Sequence, residues 1–316
     1  MGWKEFLMPY WRKIGIFILL VLLLGIYYVI LTGRLMNISC MQPPCYTTGR
    51  TISNCSVLDQ AGEIYHLTAD IINTSSGTSG VSPFSGRACM YVTAANVTID
   101  CQGHLIDGVD IASETYGVYS EQSNTIVKNC IFTDWNNPIF WYNITDSEGI
   151  ISNVTFSGTQ NGIYLYNINN AVVENITAYS NVINAFSAGG SSNITFKNSK
   201  IYDTGGYGIN SYSLTNGMFY NNFFNNSVNF NWAIDPNYWN TTNQLGTRIY
   251  SDGTNIGGNY WASPNGTGYS ETCNDANNDG FCDEPYNALN GVSCKAGVNC
   301  SGNTDYLPLT GAIHHS

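Results

Sequence analysis

Bulky apolar residues recur through the middle of the chain on a fixed beat. NTIV (124–127), EGII (148–151), NAVV (170–173), NITF (193–196) and NGMF (216–219) close on Val127, Ile151, Val173, Phe196 and Phe219. Two residues later an asparagine follows each time, at Asn129, Asn153, Asn175, Asn198 and Asn221, with intervals of 24, 22, 23 and 23. A second marker keeps the beat in YGVY (116–119), NPIF (137–140), NGIY (161–164), NAFS (184–187) and YGIN (207–210). Apolar and polar residues alternate within each short run, and Asn or Gly stands between runs, which predicts strands joined by tight corners. A repeat of roughly 23 residues built this way predicts an all-β, right-handed parallel β-helix, a single-stranded solenoid with coils about 4.8 Å apart. The asparagine file is expected to turn inward, each amide bonding to the one on the next coil so that none is orphaned. A leucine-rich repeat is excluded by the missing leucine spacing, and a β-sandwich has no reason to keep a fixed period.

One coil buries little alone, so the ends need caps. The segments EIYHLTADII (63–72), CMYVTAANVTIDCQGHLIDG (89–108) and YGVYS (116–120) read as opening coils, with the Ser/Gly/Thr-rich stretch 74–87 a loop between strands. Residues 33–62 are assigned to a stalk and N-terminal cap, 63–235 to the β-helix, and 236–316, where the beat is lost, to a C-terminal cap. Ahead of these, Ile14 to Leu31 forms an uncharged apolar run long enough to span a bilayer, so 14–32 is expected to be a transmembrane signal-anchor helix. Lys4, Arg12 and Lys13 precede it, which puts residues 1–13 in the cytoplasm and the rest outside the cell. No small-x-small cleavage site follows in TGRLMNIS.

The ten cysteines all lie after this run, where an oxidising compartment permits disulfides. Cys40 with Cys45, Cys273 with Cys282, and Cys294 with Cys300 are close enough to staple loops. Cys55, Cys89, Cys101 and Cys130 would bridge the first coils in a pairing the sequence leaves open. Beyond residue 34 seven Lys or Arg face 21 Asp or Glu, a balance that excludes a nucleic-acid partner.

The opening phrase VTIDCQGHLIDG (97–108) and the closing phrases GGNYW (257–261), DANNDGFCDEPY (275–286) and TDYLPL (304–309) carry a resemblance. Over roughly residues 60–310 the chain resembles the NosD-type β-helix repeat family of the pectate-lyase-like superfamily, and its opening phrase is similar to that of archaeal surface β-helix proteins. The resemblance implies the fold and an extracytoplasmic location. It leaves activity open, because that superfamily holds lyases, hydrolases, epimerases and structural members. A copper-delivery role of the NosD kind would need grouped soft ligands, and the four His and six Met are scattered.

The clearest candidate for chemistry is Asp275-x-Asn277-x-Asp279-Gly280-Phe281-x-Asp283, the spacing of a calcium loop, with Phe281 supplying a carbonyl and Tyr286 in place of the usual last acid. Calcium would be structural there; no organic cofactor is expected. Asp100, His104, Asp107 and Asp110 are the weak catalytic candidates. The outward file Asp100, Lys128, Ser152, Glu174, Lys197, Tyr220 reads as an ion-pair ladder. Between residues 63 and 235 only Arg87, Lys128, Lys197 and Lys200 are cationic, too few for a uronate lyase. Two aromatic files, Tyr119, Phe140, Tyr164 and Tyr142, Tyr166, Tyr212, share one face. Core packing is their default reading; facing outward, they would form a platform for sugar rings. Among the Asn-x-Ser/Thr sequons, Asn73 and Asn265 are expected in loops and open to glycosylation, whereas Asn153 and Asn175 are assigned to the interior file. These features predict a noncatalytic, membrane-anchored surface protein, structural or binding cell-surface glycans or coat proteins. A polysaccharide-active enzyme is the alternative.

Overall fold

The computed structural model describes residues 49–74, 78–81, 86–109, 114–145, 148–231, 237–287 and 302–311. The expected transmembrane segment 14–32 lies outside the described residues, as do Cys40, Cys45, Asp110, Cys294 and Cys300. Among the described residues no helix is long and apolar enough to cross a membrane. The chain divides into two units, Met1–Thr48 and Gly49–Ser316, and every described element belongs to the second.

A representative coil runs through Ile126–Thr133, turns, and continues through Asn137–Ile144 before the next begins at Gly149. Asn129 breaks the first run with a φ of 56°, so the coil has three faces rather than two. Successive coils pair in parallel, and Val127, Ile151, Val173, Phe196 and Phe219 stand in one register file. Val118, Ile139, Ile163, Phe186 and Ile209 form a second. All ten lie inside, at most 1% exposed. The result is a parallel β-solenoid with about 23 residues per coil, held by the burial of these files against one another.

The asparagine file stands in register but not inside. Asn153 and Asn175 are exposed, Asn129 and Asn198 half-buried, and only Asn221 is buried. All five have φ between 52° and 56°. At this corner the backbone bends through the left-handed region, which asparagine tolerates better than most residues. The bend throws the side chain outward between two faces. The expected amide ladder therefore forms on the outside: Asn153 Nδ2 donates to Asn129 Oδ1 at 2.7 Å, and Asn221 Nδ2 to Asn198 Oδ1 at 2.7 Å. Asn129 Nδ2 continues it to Asp100 Oδ1 at 2.8 Å. Two other corners repeat the device, one in Asn124 with Asn96 and one in Asn167 with Asn143, both 2.8 Å.

Pairing outruns the expected limits of 63 and 235. Arg50–Ile52 adds in parallel to Ile64–Leu67, and Tyr260–Ala262 to Phe223–Asn225. Within the stretch expected to be loop, Thr78–Val81 folds back antiparallel on Gly86–Val92. The open cysteine pairing resolves as Cys55–Cys89 and Cys101–Cys130, each joining neighbouring coils, and Cys273–Cys282 forms as expected.

Aromatic rings close the C-terminal end. Trp239 stacks on Phe219 at 4.5 Å, Trp261 on Phe224 at 5.0 Å, and the two indoles meet at 5.5 Å. Beneath them Asp305 is fully buried. Its Oδ2 accepts from the Asn259 amide at 2.7 Å and the Trp261 indole at 2.9 Å, and its Oδ1 from the Leu307 amide at 3.1 Å. Burial outweighs these bonds and pushes its pKa up to about 7.

Candidate functional site

The third face carries the aromatic files. On Asn137–Ile144, Ile139 and Trp141 point into the main core, and alternation sends Phe140 and Tyr142 outward. There they join a separate cluster with Ala88, Tyr91, Tyr116, Tyr119 and Tyr164. Register sets Tyr91, Tyr119, Phe140 and Tyr164 in one file and Tyr142 and Tyr166 in the next. Core packing, the default expectation, is therefore corrected: the face is the outer one. Its rings nevertheless bury each other, with Tyr119 at 0% and Phe140 at 2% exposure, while Tyr166 reaches 36%. Tyr164 stacks on Phe140 at 5.0 Å and Tyr166 on Tyr142 at 5.4 Å. Burial, reinforced by the Glu114 charge, pushes the Tyr116 phenol up to about 12. Burial and a hydrogen bond to Glu121 raise Tyr119 further, and burial and the Tyr212 hydroxyl raise Tyr164. These phenols are neutral and act as hydrogen-bonding groups.

One coil further on, the aromatic file stops. Tyr164 pairs in register with Ser187, and Ser187 with Asn210. In the neighbouring file Tyr166 is followed by Gly189 and then Tyr212. Tyr212 lies across Gly189, where a Cβ would meet its ring at 2.3 Å, and its hydroxyl bonds that of Tyr164 two coils away. The small residues leave a hollow of about 290 Å³, walled by Phe140, Tyr164 and Tyr212 and by the strand-start asparagines Asn137, Asn161 and Asn184. Among the described residues no charged side chain lines it. Asn184 Nδ2 donates to Asn161 Oδ1 at 3.2 Å, but Asn184 Oδ1 and Asn137 Nδ2 have no partner, although the two residues are only 6% and 4% exposed.

The other candidates do not converge. Asp100 faces Lys128 Nζ at 3.4 Å and His66 Nδ1 at 3.9 Å. Desolvation raises its pKa, but hydrogen bonds from Asn129 and Gln102 and the Lys128 charge outweigh that and lower it. His104 binds Asp70 at 3.0 Å, and Asp107 accepts from Thr133 and from the Asn73 amide. Each group is committed to a different partner, so no acid–base set forms among them. Along the same face Lys197 pairs with Glu174 at 3.1 Å, continuing a ladder of ions. Asn73 and Asn265 are exposed, and the Asn265 amide oxygen accepts from Thr267 Oγ1 at 2.7 Å. Asn153 and Asn175, set aside as interior, are exposed too.

In the acidic loop Asp275 accepts from the amides of Asp279 at 3.1 Å and Gly280 at 2.9 Å. Asp279 Oδ1 accepts from the Phe281 amide, Asp283 from the Ala276 amide, and Asn277 bonds Asp279. A second lone pair on each carboxylate oxygen is left for a cation. Even so, no three acids, His or Cys are gathered into a metal-holding group among the described residues. Beside the loop stands Arg248, 7% exposed, whose guanidinium donates to the carbonyls of Asn255 at 2.6 Å and Gly280 at 2.8 Å and lies 4.8 Å over Phe281. Sequence reading missed Arg248, Asp305, Asn137, Asn184 and the Ser187–Gly189 gap. Only the gap left a sign, as small residues at two beats of otherwise aromatic files.

Parallel coils stapled by disulfides define a β-solenoid repeat protein suited to an oxidising, extracytoplasmic setting. The family model described as periplasmic copper-binding protein (NosD) matches residues 49–266, and the chain belongs to that family. No curated protein and no solved structure matches it significantly. The described residues do not fit a copper centre. All six described cysteines are in disulfides, His66 and His104 lie on separate aspartates, Met90 is buried in the core, and Met218 sits in a later coil in register with Thr195.

Proposed function

We propose that this solenoid is displayed on the cell surface by an N-terminal membrane anchor and binds glycans without turning them over. The observation that supports the reading is the outer aromatic face running into a hollow that no carboxylate among the described residues lines. Aromatic faces offer apolar area to sugar rings, and glycoside hydrolysis needs paired carboxylates roughly 5–10 Å apart at the bound sugar. The anchor rests on the apolar run 14–32 and its preceding cations. Calcium held by Asp275, Asn277, Asp279 and Asp283 would be structural in this reading; a chelator that changes neither melting nor binding removes it.

The test is a glycan array probed with the full chain in detergent, with and without calcium. Retention of intact glycans is the expected result. Release of shortened products would instead favour a polysaccharide-active enzyme.

A further inference from the structure

The hollow on the third face has a chemistry more definite than general stickiness for glycans. Its wall is aromatic on one side, where Phe140 and Tyr164 stack at 5.0 Å and leave the far face of Tyr164 toward the gap above Ser187. On the other side it is amide and hydroxyl. Two amide atoms in that wall, Asn137 Nδ2 and Asn184 Oδ1, are buried without partners. An unmet buried donor or acceptor destabilises the fold, and a ligand that supplies the missing partner relieves that cost. The terminal torsion of asparagine is soft, so each amide turns toward an occupant at little expense. The unmet donor of Asn137 and the unmet acceptor of Asn184 lie two coils apart, so they call for two groups on one ligand, and hydroxyls suit both because each gives and takes a hydrogen bond.

Charge sharpens the match. Among the described residues no Lys, Arg, His, Asp or Glu lines the hollow, so a carboxylate or ammonium seated there would lose water and gain no counter-charge from them. Size does the same. At about 290 Å³ the hollow lies at the bottom of the range for small-molecule sites, so it holds a terminal ring or two rather than a length of polymer. We infer that the Tyr164–Ser187 hollow is a subsite for a single uncharged sugar ring, stacked on Tyr164 and read through its hydroxyls by Asn137 and Asn184. The inference rests on the glycan-binding reading of this face and narrows it to neutral hexose or N-acetylhexosamine ends.

Two variants test it. In Ser187→Phe the aromatic file continues for one more coil, filling the space the sugar would take and stacking on Tyr164. In Asn137→Leu an unpaired amide is replaced by an apolar group of similar shape, a change expected to leave stability level or higher. The full chain in detergent is titrated by calorimetry with neutral oligosaccharides of glucose, galactose, mannose and N-acetylglucosamine, and with glucuronate and galacturonate oligomers. Melting is recorded for every variant. Wild type is expected to bind a neutral sugar, and both variants to bind it at least about tenfold more weakly with undiminished melting temperature. Should the phenylalanine variant fail to fold, the leucine variant decides. Unchanged affinity in a folded variant, or a preference for uronates, overturns the subsite while leaving the glycan-binding reading in place. No binding of any sugar by the wild type overturns both.

Discussion

Asp305 gives a direct measure of how the C-terminal end is closed. Its carboxyl is fully buried, and its pKa is raised from 3.8 to about 7 chiefly by the loss of water around the charged form. A shift of about three units at 1.36 kcal/mol each amounts to roughly 4 kcal/mol. Between pH 3.8 and about 7 the folded protein holds a proton that the unfolded chain has released. Unfolding in that window therefore releases a proton, and raising the pH favours it. The stability linked to Asp305 is present below pH 3.8 and is lost as the pH climbs through 7. Asp305→Asn removes the titration. It also gives up one acceptor facing the amides of Asn259 and Leu307, which adds a pH-independent cost of about 1–3 kcal/mol. Thermal melts of both proteins from about pH 4 to about pH 8 can be followed by tryptophan fluorescence, since the Trp261 indole donates to this carboxylate. The stability advantage of wild type over the variant should shrink across the window. A constant difference would show that the carboxyl titrates at an ordinary value, and one that grows with pH that it is held below that value; either result refutes the raised pKa.

Three further outcomes follow from the fold. Asn153→Ala should lower stability by about 1–3 kcal/mol, combining left-handed backbone strain with a lost ladder bond, while Asn153→Gly should lower it less; urea unfolding checks both. Replacing Cys101 and Cys130 together by alanine opens a link with a sequence separation of 29, worth about 3–4 kcal/mol of chain entropy, and should lower the urea midpoint accordingly. Arg248→Met keeps most of the stem but strands the carbonyls of Asp279 and Gly280, a loss above about 3 kcal/mol expected to appear as early exposure of Trp261 in a denaturant titration.

The period was legible because coil stacking forces like residues above like, so one geometric rule writes itself into the chain at every turn. The side on which a file lies was less legible. Asn129, Asn153 and Asn175 were expected inside because polar residues in register suggested a buried ladder, and nothing in the spacing reveals that the same residues have φ near 55° and so face outward. The aromatic files failed in the opposite sense: bulk suggested core, whereas Ile139, Trp141, Ile163 and Leu165 take the inward positions and alternation leaves Phe140 and Tyr164 outside. The ends were hardest to read. Arg248 and Asp305 act on groups 31 and 46 residues away, in a region with no repeat to align them.

Where the solenoid ends also governs how such a protein changes length. At the last coil the backbone of Gly258 and Asn259 is already engaged by Leu307 and Leu309, through bonds of 2.9 and 2.8 Å. A second molecule arriving at that end meets backbone groups of Gly258 and Asn259 that are already paired. A copy stacked end to end there would have to displace bonds this end already holds, whereas inserting or removing a whole coil between the ends leaves them intact.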